Sequence, residues 1–193
     1  VDRMDQNIGK LVKTLKSTGK YENTLIIFLS DNGACAEGGV LGGQTDPFDV
    51  EKWEHTYGPG PSYGRAWANA SNTPFRKFKH YMHEGGVSTP FIAHWKTGIK
   101  ETGRWYREKA TLIDIMPTVL DLAEAEYPQQ YHGNDIIPLT GVSLKPAFTD
   151  QSLDRPGPLY FEHENNASIY SGDWQLVGTG VSIPGGPDEK KWE

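Results

Sequence analysis

An Asp and an Asn lie side by side just beyond the apolar segment 24–30, at Asp31 and Asn32. That segment predicts a buried strand, and ligands of open α/β sheets collect beyond the carboxyl ends of such strands. Carboxylate and amide oxygens are hard donors that suit Ca²⁺ or Mg²⁺ rather than zinc, and Gly33 permits the tight turn that would aim them. These residues predict a divalent-cation site, although Asp-Asn-Gly is also typical of a simple turn.

A second segment, residues 72–86, gathers positive charge directly before a predicted strand. It carries Arg76, Lys77 and Lys79 within four positions. The ammonium of a lysine is a compact point charge that suits a phosphate or sulfate oxygen. Composition alone fits a solvent-exposed basic stretch equally well, so the residue types leave both interpretations open.

The elements that must position these residues have clear sequence patterns. Apolar residues at Met4, Ile8, Leu11 and Leu15 recur at helical spacing, which predicts an amphipathic helix that ends near Gly19. The apolar segment that follows lacks polar alternation, as is typical of a parallel strand covered on both faces. A helix followed by a buried strand is typical of an α/β sheet.

Residues 33–71 are rich in Gly, Pro, Ser and Asn and predict a long loop of a kind that is often functional. Several aromatic residues lie in its second half and would either pack on one another or contact a ligand. They are Trp53, Tyr57, Tyr63 and Trp67.

Further along the chain, a strand is predicted over 89–95 and a helix around 113–122, with Asp114 as its cap. The end of the chain differs from the rest. Short strand candidates at 159–162, 167–171 and 174–177 are separated by hairpin signals. We therefore expect an α/β part over 1–150 and a small antiparallel β region over 151–193.

The bulk composition excludes two classes of partner. The 193 residues carry a formal charge of -6, from 19 basic and 25 acidic side chains, and contain no basic stripe of the kind that binds nucleic acid. The longest apolar run, 25–29, is too short to cross a bilayer. Cys35 is the single cysteine, so no internal disulfide forms, which fits a reducing compartment without excluding export.

Taken in order, these motifs resemble the sulfatase family. A strand followed by Asp-Asn-Gly, a glycine-rich insertion, and Asn-Thr-Pro-Phe-Arg-x-x-Lys with Glu-Gly-Gly beyond it form the central part of the resemblance. It extends over nearly the whole chain, from the first helix to the segment Gly172-Asp173-Trp174. It implies part of an alkaline-phosphatase-like α/β sandwich with a mostly parallel sheet, followed by a small C-terminal antiparallel region.

The resemblance also implies roles for individual residues. Asp31 and Asn32 match the pair that ligates the divalent cation, usually calcium, and Lys79 matches the lysine that holds the sulfate group and stabilises charge on its oxygens. His163 lies in a C-terminal region that some relatives place near the leaving group, which makes it a candidate substrate contact. Two further histidines, His80 and His83, flank the lysine motif and would either shape the pocket or simply pack.

The sulfatase nucleophile, a formylglycine made from Cys or Ser in a Cys/Ser-x-Pro/Ala-x-Arg motif, has no counterpart in these residues. Cys35 begins a segment with Gly39 where the arginine belongs, so it reads as a small loop residue. We therefore interpret the chain as a C-terminal fragment of a sulfuric ester hydrolase, inactive alone, whose formylglycine and remaining metal ligands lie in a missing N-terminal part.

Two alternatives remain open. The same cations would serve a phosphonate or phosphate-ester hydrolase of the same superfamily, and the aromatic insertion would suit a non-catalytic carbohydrate-binding relative. The expected substrate is a sulfated small molecule or sulfated carbohydrate, and the residues do not specify which. Family habit favours a periplasmic or extracellular location, and nothing in the sequence indicates an oligomeric state.

Overall fold

The computed structural model describes residues 1–40, 42, 64–181 and 191–192. The chain divides into two compact units. One comprises Val1–Phe28 and Ile92–Pro156, and the other comprises Leu29–Phe91 and Gly157–Glu193. These units reflect local packing, and the predicted division near residue 150 stays a prediction. No helix in the described ranges is both long and apolar enough to cross a bilayer.

The first unit begins with helix α1, Asp2–Ser17. Asp2 and Asp5 in its first turn and Lys16 in its last turn complement the helix dipole. Gly19 follows with φ +67°, so the predicted end of the helix is confirmed. None of the helix residues is buried within the described part of the chain, and the predicted apolar face is partly exposed to solvent.

Strand β1, Ile26–Leu29, pairs with strand β2, Phe91–His94, in a two-stranded sheet. The other elements around this sheet are short. They are the 3₁₀ helices Tyr21–Asn23, Leu112–Asp114 and Lys145–Thr149, helix α4 at Ile115–Ala123, and the strand pair β3 (Gln130–Tyr131) and β4 (Asn134–Asp135).

The carboxylate of Asp114 organises the interior of the first unit. It is fully buried, accepts hydrogen bonds from the backbone of Thr111 and Val142, and pairs with Arg155 at 2.6 Å. Asp114 is the N-cap residue of the following helix, as the sequence predicts, but its side chain makes no capping hydrogen bond there. Asp114 instead closes a capping box with Thr111 around the preceding 3₁₀ turn, because its carboxylate is engaged by that turn and by Arg155.

We predict that Asp114→Asn lowers the free energy of unfolding by about 3–5 kcal/mol, because it leaves the Arg155 charge buried without a counter-ion. Urea unfolding of the purified chain measures this effect. Asp121→Asn is the control, since its pair with Lys145 is solvent-exposed and should contribute below about 1 kcal/mol. Equal losses in the two variants would contradict the prediction.

In its described residues the second unit contains two helices and a four-stranded antiparallel sheet. Helix α2 is Gly64–Ser71 and helix α3 is Glu84–Val87. The sheet has strand order β5-β6-β7-β8. Its strands are β5 at Leu159–His163, β6 at Asn166–Ser171, β7 at Trp174–Thr179 and β8 at Lys191–Trp192.

The C-terminal antiparallel sheet is confirmed, with a turn one residue earlier than the sequence suggested. Glu164 and Asn165 both have positive φ, as a type I′ hairpin turn requires, and Asn166 already belongs to β6. The mixed α/β class is also confirmed. The mostly parallel sheet of a sandwich stays a prediction.

The predicted loop over 33–71 is interrupted by helix α2. The alanines at 66, 68 and 70 favour a helix, and Ala68 is fully buried, so packing outweighs the glycine-rich composition around it. Trp67 lies on this helix and is two-thirds exposed. The other aromatic residues of the predicted loop, Trp53, Tyr57 and Tyr63, lie outside the described residues.

Candidate functional site

Hydrogen bonds to the neighbouring segment fix the turn after β1. The backbone N–H of Ser30 donates to the Pro90 carbonyl at 3.2 Å, and the Thr89 hydroxyl donates to the Ser30 carbonyl at 2.8 Å. The Ser30 hydroxyl in turn donates to the Asn32 carbonyl at 3.0 Å. These bonds hold Asp31 at the surface and Asn32 half-buried beneath it.

Gly33 allows the turn to approach helix α3 more closely than any other residue could. Its N–H donates to the Gly86 carbonyl at 2.9 Å, and a Cβ on Gly33 would collide with the carbonyl oxygen of Gly85. The glycine pair of the Glu-Gly-Gly motif is equally constrained, since a Cβ on either member would overlap backbone carbonyls of the preceding loop. Close packing of backbone on backbone explains these glycines.

One side chain joins the three segments that build the site. The Asn72 carbonyl accepts a hydrogen bond from Ala34 N–H at 3.1 Å, and its amide donates to Lys77 O at 3.0 Å and to Gly85 O at 2.7 Å. Beside it, Lys79 N–H donates to Ala34 O at 3.1 Å. The loop that carries Lys77 and Lys79, here named the lysine loop, is thereby tied directly to the turn that carries Asp31 and Asn32.

As a result, the predicted metal pair and the predicted sulfate-binding lysine line one cavity of about 440 Å³. Asp31, Asn32 and Lys79 share its wall with Cys35 and Asn72. The first three were chosen from two separate sequence motifs, and the fold brings them together. Their chemical roles remain predictions.

The oxygen donors of this cavity have the chemistry that a hard cation requires. Asn32 Oδ1 is buried and has no hydrogen-bond partner among the described residues, an arrangement that a bound cation would satisfy. Hydrogen bonding from the Asn32 side chain lowers the pKa of Asp31 below its ordinary value, with a smaller contribution from the Lys79 charge. Asp31 is therefore ionised at neutral pH, and the two side chains fit Ca²⁺ or Mg²⁺.

Lys79 is paired with a residue that the sequence reasoning missed. Its ammonium donates to Glu37 Oε1 at 3.1 Å, and both side chains are substantially exposed. Hydrogen bonding between them raises the pKa of Lys79 and lowers the pKa of Glu37, and the charge of Asp31 raises that of Lys79 further. Lys79 therefore keeps its positive charge at neutral pH.

The C-terminal sheet supports the loop that carries Lys79. Three side chains of β6 and β7 donate hydrogen bonds to successive positions of that loop and of α3. The bonds run from Asn166 to His80 O, from Gln175 to Met82 O and from Tyr170 to the Glu84 carboxylate, each at 2.9 Å. Burial raises the pKa of Tyr170 far above its ordinary range, so its hydroxyl stays a donor.

Comparison with known proteins identifies the family. Residues 1–125 match the family model described as Sulfatase, and this range contains both motifs of the cavity. The chain belongs to the sulfatase family.

Individual sulfatases are similar over most of the chain. An arylsulfatase of Klebsiella aerogenes is 33% identical over 151 residues, which are 75% of this chain and 32% of that protein. An uncharacterized sulfatase of Schizosaccharomyces pombe is 36% identical over 148 residues, 71% of this chain and 26% of that protein. Human N-sulphoglucosamine sulphohydrolase is 26% identical over 154 residues, 79% of this chain and 23% of that protein.

The chain thus spans about a third or less of the length of these curated relatives. Its fold also resembles a solved structure from work on glycosaminoglycan metabolism by Bacteroides thetaiotaomicron, with a TM-score of 0.57 and 20% identity. That similarity covers 90% of this chain and 31% of the other. At this identity it supports the fold alone.

The candidate histidines of this sulfatase chain are not among the described residues that line the cavity of Asp31, Asn32 and Lys79. His163 does not line the Asp31–Lys79 cavity in the described part of the chain, but lies beside His80, with ring centroids 5.9 Å apart. His83 is buried and packs edge-on against Tyr81. A role for His163 in substrate binding stays a prediction.

The structure predicts that Asn72→Ala destabilises the sulfatase chain by about 1–3 kcal/mol, since it leaves a backbone N–H and two carbonyls without their partner. Hydrogen–deuterium exchange at the Ala34 amide should become faster in this variant. Asn134→Ala is the control, because Asn134 is exposed and its side chain makes one bond, to His132 O at 3.4 Å. Unchanged exchange at Ala34 would show that Asn72 does not hold the turn.

Proposed function

We propose that the protein containing this chain hydrolyses sulfate monoesters with the help of a divalent cation. The observation that carries the proposal is the convergence of Asp31, Asn32 and Lys79 on one cavity. Two oxygen donors for a cation and one ammonium across a shared space form a cradle for a tetrahedral anion. Membership of the sulfatase family supports sulfate as that anion.

In this proposal Asp31 and Asn32 hold Ca²⁺, or alternatively Mg²⁺. The cation supplies positive charge that stabilises the sulfate oxygens as the ester bond breaks. Lys79 binds a sulfate oxygen and opposes the negative charge that accumulates on it. To do so its ammonium must turn from Glu37 toward the ester, which solvent exposure of the pair permits.

The substrate class is a sulfated small molecule or sulfated carbohydrate. The relatives include proteins named for aryl, steryl and N-sulphoglucosamine substrates, so similarity alone selects none of them. The proposal places the formylglycine nucleophile and the remaining metal ligands in a segment of the protein outside these 193 residues.

We expect Lys79→Ala to lower kcat for an aryl sulfate by about 10²–10³-fold in the complete protein, because one charge-stabilising donor is removed from the transition state. The fold should be unaffected, since the Lys79 side chain is partly exposed. Lys77→Ala is the matched control in the same loop, where the ammonium lies over the Tyr81 ring. Unchanged turnover in Lys79→Ala would refute the assignment.

The same assay distinguishes the runner-up function. A sulfatase should turn over an aryl sulfate faster than the matching aryl phosphate, whereas the reverse preference would indicate a phosphate-ester hydrolase. Binding of a sulfated sugar without turnover of either ester would indicate a carbohydrate-binding relative.

The 193 residues alone should not hydrolyse an aryl sulfate, because they contain no Cys/Ser-x-Pro/Ala-x-Arg nucleophile motif. Product release from the purified chain, compared with a heat-denatured sample of it, measures this. Cys35→Ser serves as a second check, because Cys35 lines the cavity and is the single thiol. Hydrolysis that disappears in Cys35→Ser would overturn the view that Cys35 is an inert loop residue.

A further inference from the structure

A second cluster of metal-binding side chains lies in the same unit, outside the Asp31–Lys79 cavity. His80, His163 and Glu164 each place one potential ligand atom within 4.8 Å of the other two. His80 follows Lys79 directly, His163 ends strand β5, and Glu164 is the first residue of the hairpin turn. Residues 83 positions apart in the sequence therefore meet at one point.

The geometry of this cluster suits a shared cation better than it suits hydrogen bonding. His80 Nδ1 is buried and lies 2.8 Å from Glu164 Oε2, yet the two atoms are not aligned as a hydrogen bond. His163 Nε2 lies 3.7 Å from the other carboxylate oxygen, Oε1. Ligand atoms around tetrahedral zinc, with bonds of about 2.0–2.1 Å, lie roughly 3.3 Å apart. Small side-chain shifts would bring the ligand atoms of the cluster, which lie within 4.8 Å of one another, to that spacing.

The second ring nitrogen of His80 is oriented by another carboxylate. His80 Nε2 lies 3.3 Å from Glu37 Oε1, within hydrogen-bond distance. A histidine that binds a metal through one nitrogen commonly donates from the other to a carboxylate, which fixes the tautomer. With its proton on Nε2 facing Glu37, His80 presents the Nδ1 lone pair on the side of Glu164.

Two of the three residues have backbone conformations that their side chains do not favour. His80 has φ +84° and Glu164 has φ +49°. Asn, Asp or Gly would suit the first position of a type I′ turn better than Glu does. Asn166 holds the strained His80 backbone in place by donating to its carbonyl at 2.9 Å.

We propose that His80, His163 and Glu164 bind a divalent transition-metal ion of the zinc class. Two imidazoles and one carboxylate are ligands that Zn²⁺ prefers, whereas Ca²⁺ and Mg²⁺ prefer oxygen alone. Three protein ligands leave a fourth position open. His80 and Glu164 line a cavity of about 480 Å³, so water or a small anion can reach that position.

The test is zinc binding to the untagged, metal-free chain, measured by competition with a chromophoric chelator, with Co²⁺ absorption reporting the coordination geometry. We expect His163→Gln and Glu164→Gln each to weaken Zn²⁺ binding by at least about tenfold. His132→Gln is the matched control, since His132 also lies in an exposed turn with positive φ and is not part of the cluster. The measurement uses no substrate, so its result is independent of the proposed hydrolysis.

Two further controls separate this cluster from the other possible ligands. Cys35→Ser and Asp31→Asn should leave zinc affinity unchanged, because neither residue belongs to the cluster. Zinc should also raise the unfolding temperature of the wild-type chain and not that of Glu164→Gln. If a ligand variant fails to fold, Glu37→Gln keeps all three ligands and should still weaken binding about tenfold through the orientation of His80.

Three results would overturn the proposal. The first is an absence of zinc binding to the wild-type chain. The second is zinc binding that the ligand variants do not weaken. The third is binding that disappears in Cys35→Ser, which would place the ion on the thiol instead.

Discussion

The candidate site depends on the side-chain amide of Asn72. Its three hydrogen bonds connect the turn after β1, the lysine loop and the first glycine of helix α3, and they reinforce single backbone hydrogen bonds between the same segments. Asn suits this position because it combines an acceptor and two donors on one short, planar group. Asp would lack the donors, and a hydrophobic residue would leave three backbone groups unsatisfied. The placement of Lys79 relative to Asp31 therefore rests partly on a residue with no direct part in the proposed chemistry.

The C-terminal sheet also supports the lysine loop, through hydrogen bonds from its side chains. Asn166, Tyr170 and Gln175 reach from its strands to residues 80–84, so the sheet acts as a support for the segment that follows Lys79. The closely packed glycines of α3 then fix that segment against the turn that carries Asp31 and Asn32. A flexible loop could not hold an ammonium in register with a cation site. Support from both sides reduces the reorganisation that anion binding would otherwise require.

Local patterns predicted much of this architecture. Helical spacing gave α1, an unbroken apolar run gave β1, and alternating short runs with turn residues gave the C-terminal sheet. The composition of 33–71 as a whole does not indicate helix α2, because packing of Ala68 decides the local structure. Within the site, Asp31, Asn32 and Lys79 were recognisable as motifs. Glu37 was not, because its partners lie 42 and 43 positions away and its own segment carries no motif.

Glu37 also bears on how an acidic chain would bind the proposed anion. The net charge of -6 opposes sulfate binding, so the proposed site needs a local cation. Lys79 is protonated at neutral pH in any case, and Glu37 raises its pKa further. The same carboxylate would compete with the substrate if the pair were strong. The Lys79–Glu37 pair is exposed, however, and exposed ion pairs are weak because water screens them. In the proposed function, a sulfate held at the same time by a divalent cation would therefore displace Glu37 from Lys79.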